Sequence, residues 1–214
     1  MPRRPRREGR PRVARRGPAL AARPPLAVPH ASRLRSGPVS RRPAAVGEVL
    51  TSVDWGRWSV ILLKPDCVRR GLVDTVLERI TAAVSVSVRG QMDVTVTDWQ
   101  IHVHYWDLLV GADWFDCSVP ACLRKMYVGR QVAVALAHGP AGTPRLVRDL
   151  LGHFDPARAT KGTLRGDLGT DSLAAAQAEG RLVENLVHTS DDAAATCRDF
   201  GTWYGAKRHH LLTP

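Results

Sequence analysis

The chain is 214 residues long with a formal net charge of +11 and a hydrophobic fraction of 44%, enough for one domain with a real core. No stretch approaches the roughly 20 apolar residues of a membrane span, and Cys67, Cys117, Cys122 and Cys197 lack zinc-like pairing, so a soluble, reduced, cytoplasmic protein is expected. The charge is lopsided: residues 1–47 hold 13 arginines and one acid, Glu8, for a net of +12, and the remainder carries −1.

In chain order, residues 1–50 form an Arg/Pro-rich tail. It has no hydrophobic period, and 9 of the 15 prolines lie before residue 48, so it cannot bury enough surface to offset the entropy of ordering and is expected to be disordered. A targeting segment, an arm for anionic partners and a start codon placed too far upstream all fit its arginines. An export signal does not, because the run Ala19-Leu20-Ala21-Ala22 stops at Arg23, short of the about 7 to 15 apolar residues required. Nucleic acid is expected only as a nonspecific partner of this tail, since the remainder is near neutral.

Beyond the tail, hydrophobic period and turn signals predict a strand near 58–63, a helix near 68–84 and a strand near 86–97. A helix capped by Thr97 or Asp98 follows near 98–109, then a shorter helix near 120–126 and a buried strand at 131–137. On the 98–109 helix, His102 and His104 point apart and make no metal pair. Leu146, Val147, Leu150 and Leu151 take helical spacing over 144–151, before an irregular loop up to Arg165. Ser172 to Glu179 reads as a further helix, residues 182–187 as a short strand, and Ser190 with Asp191 as caps of a last helix toward Trp203. Four strands with helices between them suit one sheet covered on one face, an α+β sandwich.

Three segments carry chemistry. An apolar strand delivers one lysine in Leu62-Leu63-Lys64-Pro65-Asp66-Cys67-Val68-Arg69-Arg70-Gly71; a glycine-bounded loop presents one arginine in Gly162-Thr163-Leu164-Arg165-Gly166-Asp167; and Asn185-Leu186-Val187-His188-Thr189-Ser190-Asp191 exposes an imidazole where a strand meets a helix. Such junctions leave backbone N–H groups that favour phosphate. Alone, His188 reads more readily as a helix-cap or core histidine than as a catalytic one, and Arg148 as a solvated charge on an amphipathic helix.

Together, and in this order, the segments resemble nucleoside diphosphate kinase, whose patterns read Lys-Pro-Asp-Gly-Val-x-Arg-Gly, Gly-Thr-Ile-Arg-Gly-Asp and Asn-Ile-Ile-His-Gly-Ser-Asp. The resemblance runs from about Trp58 to Tyr204. It implies an α+β fold with a ferredoxin-like antiparallel four-stranded sheet covered by helices, a kinase-like domain at 55–206 and a C-terminal extension at 207–214. It implies transfer of the terminal phosphate of a nucleoside triphosphate to a nucleoside diphosphate through a phosphohistidine at His188, with Lys64, Asp199 and Ser190 as catalytic partners. Lys64, Tyr105, Trp114, Arg148, Arg165 and Asn185 would bind the nucleotide, Trp114 by stacking on the base. Mg2+ would be carried by the nucleotide phosphates, with Asp191 near enough to help through water. A homo-oligomer is implied as well.

The match also departs from the pattern. Cys67 and Thr189 replace glycines, which would cost about 1 to 3 kcal/mol of strain if either position needs φ > 0. Phe154 replaces a phosphate-binding threonine, leaving Lys161 or Thr163 to compensate. Asp199 replaces a glutamate that orients the histidine; being one methylene shorter, it would hold the imidazole less firmly or through a water. The stretch from Arg165 to Asn185 is longer than in the family, so its helix would replace contacts, act as a lid or decorate the surface. These departures keep open an alternative, a nucleotide-binding or regulatory module of the same fold with weak or absent turnover.

Overall fold

In the computed structural model residues 50, 52–111 and 118–213 are described. The tail expectation and Trp114 fall outside them.

The four strands are β1 (Trp58–Leu63), β2 (Ser87–Thr95), β3 (Gln131–His138) and β4 (Val187–Thr189). They form one sheet in the order β2-β3-β1-β4, with every neighbouring pair antiparallel. Helices α1 (Pro65–Arg69) and α2 (Val73–Ala83) link β1 to β2, and α3 (Asp98–His104), α4 (Trp106–Gly111) and α5 (Val119–Tyr127) lie between β2 and β3. After β3 come α6 (Thr143–Leu151), α7 (Leu164–Leu168) and α8 (Leu173–Ala178), and α9 (Ala193–Trp203) follows β4. This is the expected α+β ferredoxin-like arrangement.

The expectation of one covered face needs correction. All six residues of β1 are buried, and so are Val132 to Ala137 of β3. Val60, Leu62, Val134 and Leu136 pack with Ile101, Leu123, Tyr127, Phe200 and Trp203 on one side of the sheet. Ile61, Leu63, Ala133 and Ala135 pack with Val76, Ile80, Val147 and Leu151 on the other. A central strand buried on both faces reads as a continuous apolar run rather than an alternation, and Val60 to Leu63 is such a run.

Several boundaries also shift. The helix expected over 68–84 breaks at Gly71, whose φ of 65° ends α1. The one expected over 98–109 breaks at Tyr105. Its start is a capping box: the Thr97 hydroxyl and Gln100 side chain satisfy each other's backbone groups. The last strand is Val187–Thr189 rather than 182–187, and Asp192, not Ser190 or Asp191, caps α9 by accepting from the Ala195 N–H. The loop expected to present Arg165 is the short helix α7, capped by Thr163. Gly166 is needed there, because a Cβ would sit 2.1 Å from the Thr160 carbonyl oxygen.

Candidate active site

Strand register brings the site together. His188 pairs with Leu62, and alternation of side chains along a strand puts Leu62, His188 and, one period further, Lys64 on the face that carries α3, α5 and α9. β4 is an edge strand. On its inner side the Leu186 carbonyl accepts from the Lys64 N–H, and the Ser190 N–H donates to the Val60 carbonyl of β1. The Val187 and Thr189 carbonyls are left facing out, and they accept from the guanidinium groups of Arg165 (2.7 Å) and Arg148 (3.3 Å). Covering the bare edge of the strand thus brings two cations beside His188.

These groups line a cavity of about 360 Å³ bounded by Lys64, His104, Tyr105, Tyr127, Arg148, Phe154, Arg165, Asn185, His188 and Asp191, with Leu108, Leu173, Leu182 and Val183 as apolar wall. Lys64 is buried and donates to Asn185 Oδ1 (2.9 Å) and the Val183 carbonyl (3.1 Å), which leaves one of its three protons for a ligand. Burial pushes its pKa down to about 8. Arg165 spends three donors on the carbonyls of Asn185, Gly152 and Val187, and burial lowers it to about 10. Arg148 is half exposed and pairs with Asp191. His188 is partly buried; burial first, then neighbouring His104, Arg148, Arg165 and Lys64, holds it well below the usual imidazole value. It is therefore neutral near pH 7, the form in which an imidazole can act as a nucleophile.

The segment before β4 is strained, and it is clamped. Leu186 has φ of 69° and lies inside a three-residue turn in which the Val187 N–H donates to the Asn185 carbonyl. Its own N–H donates to Asp66 Oδ2 (2.9 Å) and its carbonyl accepts from Lys64 N–H. A leucine in this region costs about 1 to 3 kcal/mol and persists where its surroundings over-determine it. Strain falls here and not at Cys67 or Thr189, neither of which has positive φ. Burial drives the Cys67 thiol up to about 12, so it is an inert core group.

Asp199 and Ser190 are joined, the hydroxyl donating to Asp199 Oδ2 at 2.8 Å. The other Asp199 oxygen meets His104 Nδ1 at 3.0 Å. Tyr105 donates to or accepts from Tyr127 at 2.7 Å, and its ring lies edge-on to His188 at 5.2 Å. Phe154 lines the cavity, while Lys161 and Thr163 do not; Thr163 is occupied as the cap of α7. The expected replacement donors are therefore absent from the cavity lining. The α8 segment places Leu173 in that lining, and Asp155 ties the Leu173 N–H to the loop after α6.

Sequence reasoning missed Asp66, His104, Tyr127 and Arg198, the last of which lines the cavity and pairs with Asp107 and Asp199. Asp66 was visible only as a letter of the lysine motif. The other three arrive from the helices between β2 and β3 and from α9, and no spacing along the chain joins them to His188.

A partly buried imidazole sharing one cavity with Lys64, Arg148 and Arg165, over a four-stranded antiparallel sheet, is the arrangement expected of a phosphotransferase with an α+β sandwich. Comparison with known proteins narrows it. Residues 58–209 match the family model described as nucleoside diphosphate kinase. The nucleoside diphosphate kinase of Chloroflexus aggregans is 30% identical over 154 residues, 72% of this chain and 89% of that one. That of Streptococcus thermophilus is 31% identical over 144 residues, covering 67% and 95%. A Borrelia burgdorferi nucleoside diphosphate kinase with bound vanadate and ADP, described as a transition-state mimic, superposes with a TM-score of 0.63 at 26% identity, over 69% of this chain and 86% of that one. An NDP kinase from Pyrobaculum aerophilum gives 0.60, also at 26% identity, over 69% and 95%. The chain belongs to the nucleoside diphosphate kinase family, whose members are nucleotide-binding phosphotransferases.

Proposed function

We propose that this protein is a working nucleoside diphosphate kinase, with His188 as nucleophile in a ping-pong cycle. A lone pair of one imidazole nitrogen forms the N–P bond to the γ-phosphorus. The bond from that phosphorus to the β–γ bridging oxygen breaks, and the nucleoside diphosphate leaves with the electron pair. A second diphosphate reverses the step. The observation that carries the reading is a neutral, partly buried His188 within one cavity shared with Lys64, Arg148 and Arg165. Loose phosphoryl transfer asks of a protein little more than an in-line nucleophile and fixed positive charge on the equatorial oxygens.

Asn185, held by Lys64 and by its own bond to the Phe154 carbonyl (2.7 Å), is suited to the sugar and phosphate edge, and Tyr105 to the phosphates beside His188. Leu108, Leu182 and Val183 offer apolar contact to a base, with Trp114 proposed to complete the stack. Among the described residues the one cluster of metal-ligand type is His104, His188 and Asp199, whose histidines suit a hard ion poorly. That favours magnesium entering on the nucleotide, with Asp191 contacting it through water. There it would neutralise charge on the β and γ oxygens. Residues 55–206 would form the catalytic unit, with 207–214 an extension packed through buried Leu212. We further propose a homo-oligomer working in the cytoplasm; no helix among the described residues is long and apolar enough to cross a membrane.

The test is incubation with γ-labelled ATP and magnesium, alongside His188→Ala. Acid-labile label that needs His188 and passes to a nucleoside diphosphate is expected. Nucleotide binding without label would instead favour the regulatory alternative, which Phe154 in the threonine's place supports.

A further inference from the structure

Helices α3 and α4 carry apolar side chains toward the core and also away from it. Ile101 is fully buried, and Tyr105, Leu108 and Leu109 pack partly buried against the cluster that holds Leu123, Phe200 and Trp203. Away from that cluster, Trp99 is 57% exposed, Val103 37%, Trp106 56% and Val110 64%. These are four of the seven exposed large hydrophobic side chains among the described residues. They follow one another at steps of four, three and four along the chain, the spacing at which a helix returns to one face. Tyr105 interrupts the helical run, but its N–H bonds to the Ile101 carbonyl and its carbonyl accepts from the Leu109 N–H, so both helices are bonded to the junction. Scattered apolar side chains on a surface need no explanation, whereas a contiguous stripe on an otherwise packed helix marks a contact.

Area and pattern both indicate what covers it. At roughly 250 Å² for a whole tryptophan, the stripe leaves about 400 Å² of apolar surface uncovered. Two such stripes face to face would bury about 800 Å², the apolar core of a standard interface of about 1,200 to 2,000 Å² whose remainder is polar rim. Asp98, His102 and Asp107 flank the stripe and supply such a rim. The stripe is also its own complement. Trp99 and Val110 are equally far from its middle, as are Val103 and Trp106. Laid antiparallel about a two-fold axis at that middle, each tryptophan of one copy meets a valine of the other, Trp99 against Val110 and Trp106 against Val103. Large side chains then face small ones in every layer, and each contact occurs twice, as an isologous interface requires. A parallel arrangement would set tryptophan on tryptophan and leave valine on valine.

We infer that this stripe is an interface between two copies of the chain, paired antiparallel along α3 and α4. It rests on the homo-oligomer proposed above, for which it names a surface, and it is independent of the chemistry at His188. Because His104, Tyr105 and Leu108 of the same two helices line the cavity, the contact braces the cavity wall from outside.

The experiment measures particle mass by sedimentation for the full chain, unaltered and with Trp99→Glu and Trp106→Glu together. Both side chains are more than half exposed, so the thermal midpoint should stay close to that of the unaltered protein. The mass should fall to half or less, with self-affinity weakened about thirtyfold or more for each tryptophan replaced. An oligomer of unchanged mass would overturn the inference and leave the homo-oligomer standing on other surfaces; an unaltered chain that sediments as a monomer would overturn both. A second measurement keeps most of the stripe intact. Chains with Trp99→Cys and chains with Val110→Cys, each with Cys117 and Cys197 replaced by serine, are oxidised mildly, apart and mixed. The mixture should give a disulfide-linked dimer with the other three layers preserved. Neither chain alone should, since like positions lie about 16 Å apart along the paired axes, beyond the reach of a disulfide. Linkage in either chain alone, or none in the mixture, would overturn the antiparallel pairing.

Discussion

Lys64 and Asn185 of the cavity lining, with Asp66 and Asp199 behind it, are almost wholly buried, whereas at its rim the side chains of Arg148 and Asp191 are 42% and 53% exposed and Phe154 is 39% exposed. Each of these four side chains bonds to at least one protein group, in a low-dielectric interior where losing one partner strands another. The rim pair is screened by water and worth little to folding. The same kinds of charge therefore serve two purposes: in the interior they set geometry before a ligand arrives, and at the rim they remain available to one.

The largest break in this contrast should come from Asp66→Ala. It orphans the buried Leu186 N–H, at a cost of roughly 1 to 3 kcal/mol, and it releases the strained turn that orients Asn185 and His188. Thermal or urea unfolding should report the lost stability, and labelling of His188 should fall with it. If the midpoint is unchanged, the turn is not held by this clamp.

A second consequence concerns pH. Lys64 titrates at about 8 in the fold and near 10.4 in an unfolded chain, so between those values the unfolded state binds more protons and stability rises with pH. Below about pH 8 the buried ammonium lowers stability. Lys64→Met should abolish the rise in denaturant midpoint across that window. In the unaltered enzyme kcat/KM should fall above about pH 8 as the lysine loses its charge. Its acid limb should lie below the ordinary imidazole range near 6.5, because His188 stays neutral. A rising alkaline profile would contradict the role given to Lys64.

The smallest effect on folding is expected from Arg148→Ala. With a half-exposed side chain paired to an exposed aspartate, it should change stability by within about 0.5 kcal/mol while weakening nucleotide binding. The loss of a charged hydrogen bond corresponds to roughly 1.5 to 3 kcal/mol, or about tenfold or more in Kd. Calorimetry with a nucleoside diphosphate and a melting curve on the same sample separate the two quantities.

Much of the fold was legible. The run Val60 to Leu63, the alternating signals before and after it, and the cap at Thr97 are local features, and the elements form where local pattern predicts them. The edges were less legible: Gly71 ends a helix through its own positive φ, but the short extent of β4 depends on which carbonyls of an edge strand find guanidinium groups. In the candidate site, Lys64, Arg165 and His188 stood out because each closes a motif. His104 did not, since it was read only against His102, and its partner lies 95 residues away.

The residue sequence by itself determined the order of strands and helices, the near-neutral body behind a basic tail, and the chemical identity of the groups at the cavity, because these rest on composition, period and short motifs. Tertiary structure decided which of those groups meet. Pairing β4 beside β1 turns His188 toward Lys64, and the bare carbonyls of that edge draw in Arg148 and Arg165. Packing α3 against α9 sets His104 between Asp199 and His188. The physical reason is that contact between distant residues depends on register and burial on both faces of the sheet, quantities that no stretch of chain carries alone.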